Sequence, residues 1–281
     1  MQTSRWALPW FFLQLVRLAC PRRGLLASTT TLALSLSLPS DACLAAVVAS
    51  PDGRIVVDVQ LVADGDRSRL QYAASFDDTP VIQASTIAFE ASNGDAIGAH
   101  LALVSSPTPS LHNGVWTPVY GERGSIRDDY RQLAFELRDE VSGHRLEIEF
   151  RCYDSGFAFR TRLHAASEAT PLGIQAERSE FRFTADHTIW STPAAQGKHV
   201  RTTLAELSDA AERPLLIRVQ DNLYAAIGEA ALVDYAPIRL RRDERDPHCL
   251  TTQLRGPIAA APVIETPWRV VMLGRSAGEL L

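Results

Sequence analysis

From Ser50 to the end of the chain, apolar residues recur at every second position, a period that suits extended strands and not helices. In "IVVDVQLV", Ile55, Val57, Val59 and Leu61 share one face. The turn-like "ADGDRS" leads into Leu70, Tyr72, Ala74 and Phe76 at the same spacing. "DDTP" precedes "VIQASTIAFEAS", and "NGD" at Asn93 to Asp95 is a strong turn signal. "HRLEIEFRCY" and "FAFRTRL" flank "DSG" at Asp154 to Gly156, a predicted hairpin with apolar and charged faces separated. "RSEFRFTAD", "PLLIRVQ", "LYAAIGEA", "CLTTQL" and "PWRVVMLG" continue the series. The best helical stretch, "GKHVRTTLAELSDAAER", also reads as a long loop. Strands do not alternate with amphipathic helices, so neither a (β/α) barrel nor a doubly wound sheet is supported. The expectation is an all-β fold: one large antiparallel sandwich, with no catalytic barrel.

One strand carries a contradiction. In "NLYAAIGEAALVDYAP", Leu223, Ala225, Ile227 and Glu229 fall on the same side of an extended chain. Three belong in a core and the fourth is an acid. A carboxylate on an apolar face is costly to desolvate unless it is paired or metal-bound. The residues alone leave three readings open: a salt bridge to an arginine such as Arg269, a strand end facing water, or a metal ligand.

The chain of 281 residues has 46% hydrophobic and 22% charged residues, which excludes a disordered or collagenous protein. Net charge is −5, and the 28 Lys and Arg are mostly scattered, so no nucleic-acid face is expected. The run Arg239 to Asp246 is compensated by its own acids.

Residues 1–23 are cationic and aromatic, with Arg5, Arg17, Arg22 and Arg23 and no acid. The following "GLLASTTTLALSLSL" has the length of a secretory apolar region and is short for a stable membrane span. "DACLAAV" offers small residues for cleavage after Ala45 or Ala46. Arg22-Arg23 resembles a twin-arginine signal only weakly, and Asp41 spoils a lipobox before Cys43. Residues 1–46 are therefore read as a signal segment, residues 47–281 as the sandwich, and the location as periplasmic or secreted. Two cysteines remain after cleavage, Cys152 and Cys249; pairing and separate core thiols are both open, with Cys152 continuing the apolar face of Leu146, Ile148 and Phe150.

Catalytic signatures are missing from the local spacing. No glycine-rich phosphate loop, G-x-S-x-G elbow or paired-cysteine zinc pattern occurs. The seven His residues are never closer than twelve positions apart, so none forms a local metal pair. No pair of acids is singled out for glycoside cleavage.

Six segments in series carry a resemblance: "SPDGRIVVDV", "WTPVYGERGSIRDDY" from Trp116, "IEFRCYDSGFAFR" from Ile148, "AERSEFRF" from Ala176, "GEAALVDY" from Gly228 and "ETPWRVVMLG" from Glu265. Together they resemble, in order, the N-terminal β-sandwich domain of glycoside hydrolase family 97. That resemblance implies a β-supersandwich of the galactose-mutarotase type. It also implies exported bacterial α-glucosidases or α-galactosidases acting on α-linked oligosaccharides, with the catalytic carboxylates on a central (β/α)8 barrel. The sequence given stops at Leu281, before such a barrel, so the expectation is a non-catalytic domain whose barrel is absent from this chain or lies on a separate polypeptide. The alternative is a free-standing periplasmic sandwich that binds carbohydrate or protein.

The resemblance makes Glu229 the domain's ligand to an active-site calcium, completed by barrel carboxylates. It suggests a sugar-site rim or interface for Trp116, Tyr120 and Glu122; the plain alternative is a Pro- and Gly-shaped loop covering the core. Glu180 and Arg182 are expected as an outward pair, and Trp268 as a plug at the core or a domain boundary. "IWSTPAAQGKHVRTTL" departs from the family: Trp190 is kept, but Lys198-His199-Val200 stands where relatives carry a Tyr-Glu pair.

Overall fold

The computed structural model describes residues 45–280, which form antiparallel sheets and no α-helix, with one short 3-10 turn at Ala277–Leu280. The expected signal segment lies outside the described residues, except for Ala45 and Ala46, which open the first strand by pairing with Gln60 and Val59. Among the described residues, no helix is long and apolar enough to cross a membrane.

Two large sheets face each other. A 7-stranded sheet runs Ala45–Ala49, Ile55–Asp64, Arg67–Phe76, Thr79–Thr86, Glu180–Phe183, Cys249–Leu254, Ile238–Arg242. A 10-stranded sheet runs Val200–Thr203, Thr188–Ser191, Leu215–Gln220, Leu223–Ala230, Trp268–Gly274, Gly156–His164, Arg145–Tyr153, Tyr130–Asp139, Leu101–His112; Val263–Glu265 joins Gly156–His164 from the side. A smaller 4-stranded sheet and a 2-stranded ribbon, Val115–Trp116 with Ile126–Arg127, complete the fold.

The period-two reading locates the core. Ile55, Val57 and Val59 are buried, as are Leu70, Tyr72, Ala74 and Phe76, while Leu61 is half-buried. From the other sheet come Leu146, Ile148, Phe150 and Cys152. Tyr72 crosses the gap, its ring centroid 5.1 Å from Phe159 and 5.8 Å from Phe150. Its hydroxyl donates to the Glu180 carbonyl at 2.6 Å, which removes the penalty for burying it.

The predicted "DSG" hairpin pairs Tyr153 with Gly156. A glycine is required there, because a Cβ on Gly156 would lie 2.3 Å from the Val271 carbonyl oxygen of the next strand. The edge strand Leu101–His112 carries Pro107 and Pro109, which donate no hydrogen bonds and so discourage pairing with another chain.

The helical reading of 197–213 is corrected: Val200–Thr203 is a strand on Thr188–Ser191, followed by turns. β-branched Val200, Thr202 and Thr203 favour extended chain, and they outweigh the helix formers after them. Cys152 and Cys249 are separate buried thiols, not a disulfide. Burial pushes each thiol up to about 12, so neither is reactive in the folded chain.

Candidate functional site

The opening contradiction resolves as an ion network. Glu229 lies directly opposite Arg269 on the neighbouring strand, and both point into the sandwich. Arg269 is fully buried, and its Nη1 donates to Glu229 Oε2 at 2.9 Å. Its Nε donates to Glu177 Oε1 at 2.8 Å, while Nη2 donates to the second Glu177 oxygen, a bidentate pair. Ser179 and Tyr235 add hydroxyl donors to Glu177 at 2.9 and 3.0 Å. Burial alone pushes the Glu177 carboxyl up, but the Arg269 charge and these hydrogen bonds hold it below the ordinary range.

The network then runs outward. Arg213 Nε lies against Glu229 Oε1, out of line for a hydrogen bond, so that buried oxygen accepts none. Arg213 also donates to the Ile238 carbonyl at 2.8 Å and to Glu212 at 3.3 Å. Glu212 in turn meets Arg239 and Arg255. Three glutamates and four arginines thus tie both sheets to the segments around 212 and 235.

The calcium role expected of Glu229 draws on barrel carboxylates for its other ligands, so the described residues show only how this chain meets the charge, with Arg269 and Arg213. A calcium ion takes six to eight oxygen ligands. The nearest charged groups to Glu229 are guanidiniums, and among the described residues no group of three or more His, Cys, Asp or Glu is placed to hold a metal. The salt bridge to Arg269, one of the readings the residues left open, is the arrangement found.

Trp116 ends the strand Val115–Trp116, and Tyr120 and Glu122 lie on the loop that links it to Ile126–Arg127. Gly114 donates to Asp129 Oδ1 at 3.1 Å and Asp128 to the Gly114 carbonyl at 2.9 Å, pinning the base of this arm. The arm does not cover the core. Trp116 is 57% exposed, Val119 98% and Tyr120 90%, with Leu111 and Val115 also exposed. The arm grows from the edge strand, five interstrand steps from Leu223–Ala230, so roughly 24 Å of sheet separates it from Glu229.

The outward face of the 10-stranded sheet holds groups the sequence did not single out. Glu147, Glu149 and Glu265 interleave with Arg160, Arg162 and His164 as an ion lattice. Beside it, Arg151 stacks between the rings of Tyr130 and Trp268, 4.4 Å from each centroid, and Arg160 also covers Trp268 at 4.6 Å. Trp268 is therefore held by guanidiniums on this outward face and is not a core plug. Glu180 and Arg182 are the expected outward pair, 3.8 Å apart. Charged alternation in "EIEFR" and "FRTR" was the available signal for the lattice; its pairing depends on register.

The fold defines a β-supersandwich module of the kind found in glycoside hydrolases. The chain matches the family described as Glycosyl-hydrolase 97 N-terminal over residues 48–281, and it belongs to that family. Among solved structures it is similar to a glycoside hydrolase family 97 enzyme from Pseudoalteromonas sp. strain K8 in complex with acarbose. The identity is 24% and the TM-score 0.74, over 83% of this chain and 36% of that one. A β-arabinopyranosidase matches at 18% identity and TM-score 0.69, over 82% of this chain and 40% of that one. A family 36 α-galactosidase from Geobacillus stearothermophilus matches at 12% and 0.54, over 84% and 42%. The chain spans well under half the length of each of these enzymes.

Proposed function

We propose that this chain is the N-terminal, non-catalytic module of an exported α-glycosidase, and that its Trp116–Glu122 arm packs against a (β/α)8 catalytic module near the rim of an α-linked oligosaccharide site. The observation that carries the reading is the arm itself. A pinned hairpin and the edge strand it grows from present Leu111, Val115, Trp116, Val119 and Tyr120 to solvent, large apolar side chains that a docked partner would cover. Aromatic residues of this kind anchor protein interfaces and sugar rims. The family's placement at the N-terminus of glycosyl hydrolases supplies the partner's class. No catalytic step is assigned to this chain.

The test pairs this chain with a family 97 (β/α)8 catalytic module, and measures association by calorimetry and aryl α-glucoside and α-galactoside hydrolysis. Trp116→Ala and Tyr120→Ala are expected to weaken association by more than tenfold while the sandwich stays folded. Unchanged association, or hydrolysis by this chain alone, would defeat the proposal. Export is checked separately by N-terminal sequencing of protein recovered outside the cytoplasm, with the new terminus expected near Ala45 or Ala46.

A further inference from the structure

Arg151 differs from its neighbours. Arg160 and Arg162, on the adjacent strand, each hold two carboxylates. Arg151 donates its Nε to the Gln132 side chain at 2.9 Å, and among the described residues no carboxylate lies within ion-pairing distance of it. Its planar head is fixed all the same, because Tyr130 and Trp268 stack on it. A guanidinium held by stacking presents its N–H groups along its own plane; one is shared with the Tyr153 hydroxyl, and the rest can meet a carboxylate.

That guanidinium borders a cavity of ≈ 250 Å3 on the outward face of the 10-stranded sheet. Arg151, Tyr153 and Trp268 form its polar and aromatic side; Ala158, Ala230 and Met272 give it an apolar floor and wall. At about 30 Å3 per water the space matches roughly eight waters, room for a phenyl or branched-alkyl body. The one feature the cavity lacks is a negative charge for Arg151.

We propose that this cavity is a binding site for a small organic monocarboxylate with a compact apolar body, its carboxylate on Arg151 and its body against Trp268, Met272 and Ala158. This site is separate from the Trp116 arm, and its failure would leave the reading of that arm untouched.

The experiment titrates 4-phenylbutyrate into the isotopically labelled chain and follows backbone amide and Trp indole signals by NMR. Saturable shifts confined to Ala158, Ala230, Val270 and the Trp268 indole are expected. The neutral 4-phenylbutyramide, of the same shape, should bind at least about tenfold more weakly, since a charge-assisted hydrogen bond is lost. Arg151→Gln should weaken the acid by a similar factor, and Arg151→Lys, which keeps the charge but not the fork, should fall between. The amide comparison uses the unmodified chain, so the outcome does not hang on a variant folding. Absence of saturable shifts at the cavity, or amide binding equal to that of the acid, overturns the proposal.

Discussion

Replacing Arg269 by Met tests whether the buried network holds the sandwich together. The substitution keeps an unbranched apolar stem and removes the guanidinium that meets Glu177 and Glu229. Glu229 retains Arg213 beside one oxygen, so the main loss falls on Glu177, fully enclosed and left with only the Ser179 and Tyr235 hydroxyls. Removing one partner of a buried pair costs about 3–5 kcal/mol. With a urea dependence of about 3 kcal/mol per M for a chain of this size, the unfolding midpoint should fall by roughly 1–1.7 M at neutral pH. The second substitution, Glu177→Gln in the same chain, should recover part of this, because the stranded charge is then gone. The sign with pH follows from the lowered carboxyl of Glu177. Its stabilisation is fully present above the unfolded carboxyl value of about 4.3, and is lost as pH falls through the lower folded value. In Arg269→Met the same carboxyl is raised instead, so its penalty disappears on acidification. The gap between the two proteins should therefore narrow from pH 7 towards pH 4 in urea melts read by circular dichroism. A loss below about 1 kcal/mol that is also independent of pH would refute the account.

Three further outcomes follow from the geometry. Gly156→Ala should destabilise the sandwich by several kcal/mol, because the new methyl would sit 2.3 Å from the Val271 carbonyl; a thermal melt unchanged from the parent would contradict the strand spacing. Millimolar calcium should leave the unfolding midpoint of this chain where it is, whereas a rise that grows with calcium concentration would show a site the carboxylates do not suggest. Cys152 and Cys249 should react with Ellman's reagent only on unfolding, since both thiols are buried and pushed up to about 12; fast labelling in native buffer would contradict their placement.

Most of the fold could be read from alternation because each strand buries one face, and a one-residue slip would turn the whole face outward. That is why Ile55, Val57 and Val59, or Leu146, Ile148 and Phe150, could be placed from spacing alone. The 197–213 segment could not. Its helix formers and β-branched residues compete locally, and pairing of Val200–Thr203 with Thr188–Ser191 decides the matter from outside the segment. The order of strands within each sheet was equally hidden. Leu223–Ala230 sits beside Trp268–Gly274, some forty residues later, and no local signal announces that neighbour.

The candidate site was legible as a problem and not as an answer. A glutamate after Leu223, Ala225 and Ile227 requires a countercharge, and both a metal ion and an arginine satisfy that demand. Sequence favours neither, because the partner is chosen by strand pairing: Glu229 falls opposite Arg269, and a register shift of one residue would have set it against an apolar neighbour, Trp268 or Val270. Once Arg269 is there, its other side demands an acid too, and Glu177 supplies it from a strand of the smaller sheet. The same logic, run in reverse, marks Arg151. Its stacking partners fix it in place, its outward position spares it the full cost of burial, and among the described residues no acid meets it. In a surface where Arg160 and Arg162 each hold two carboxylates, a fixed and unpaired guanidinium beside an apolar hollow is the feature that a bound carboxylate would complete.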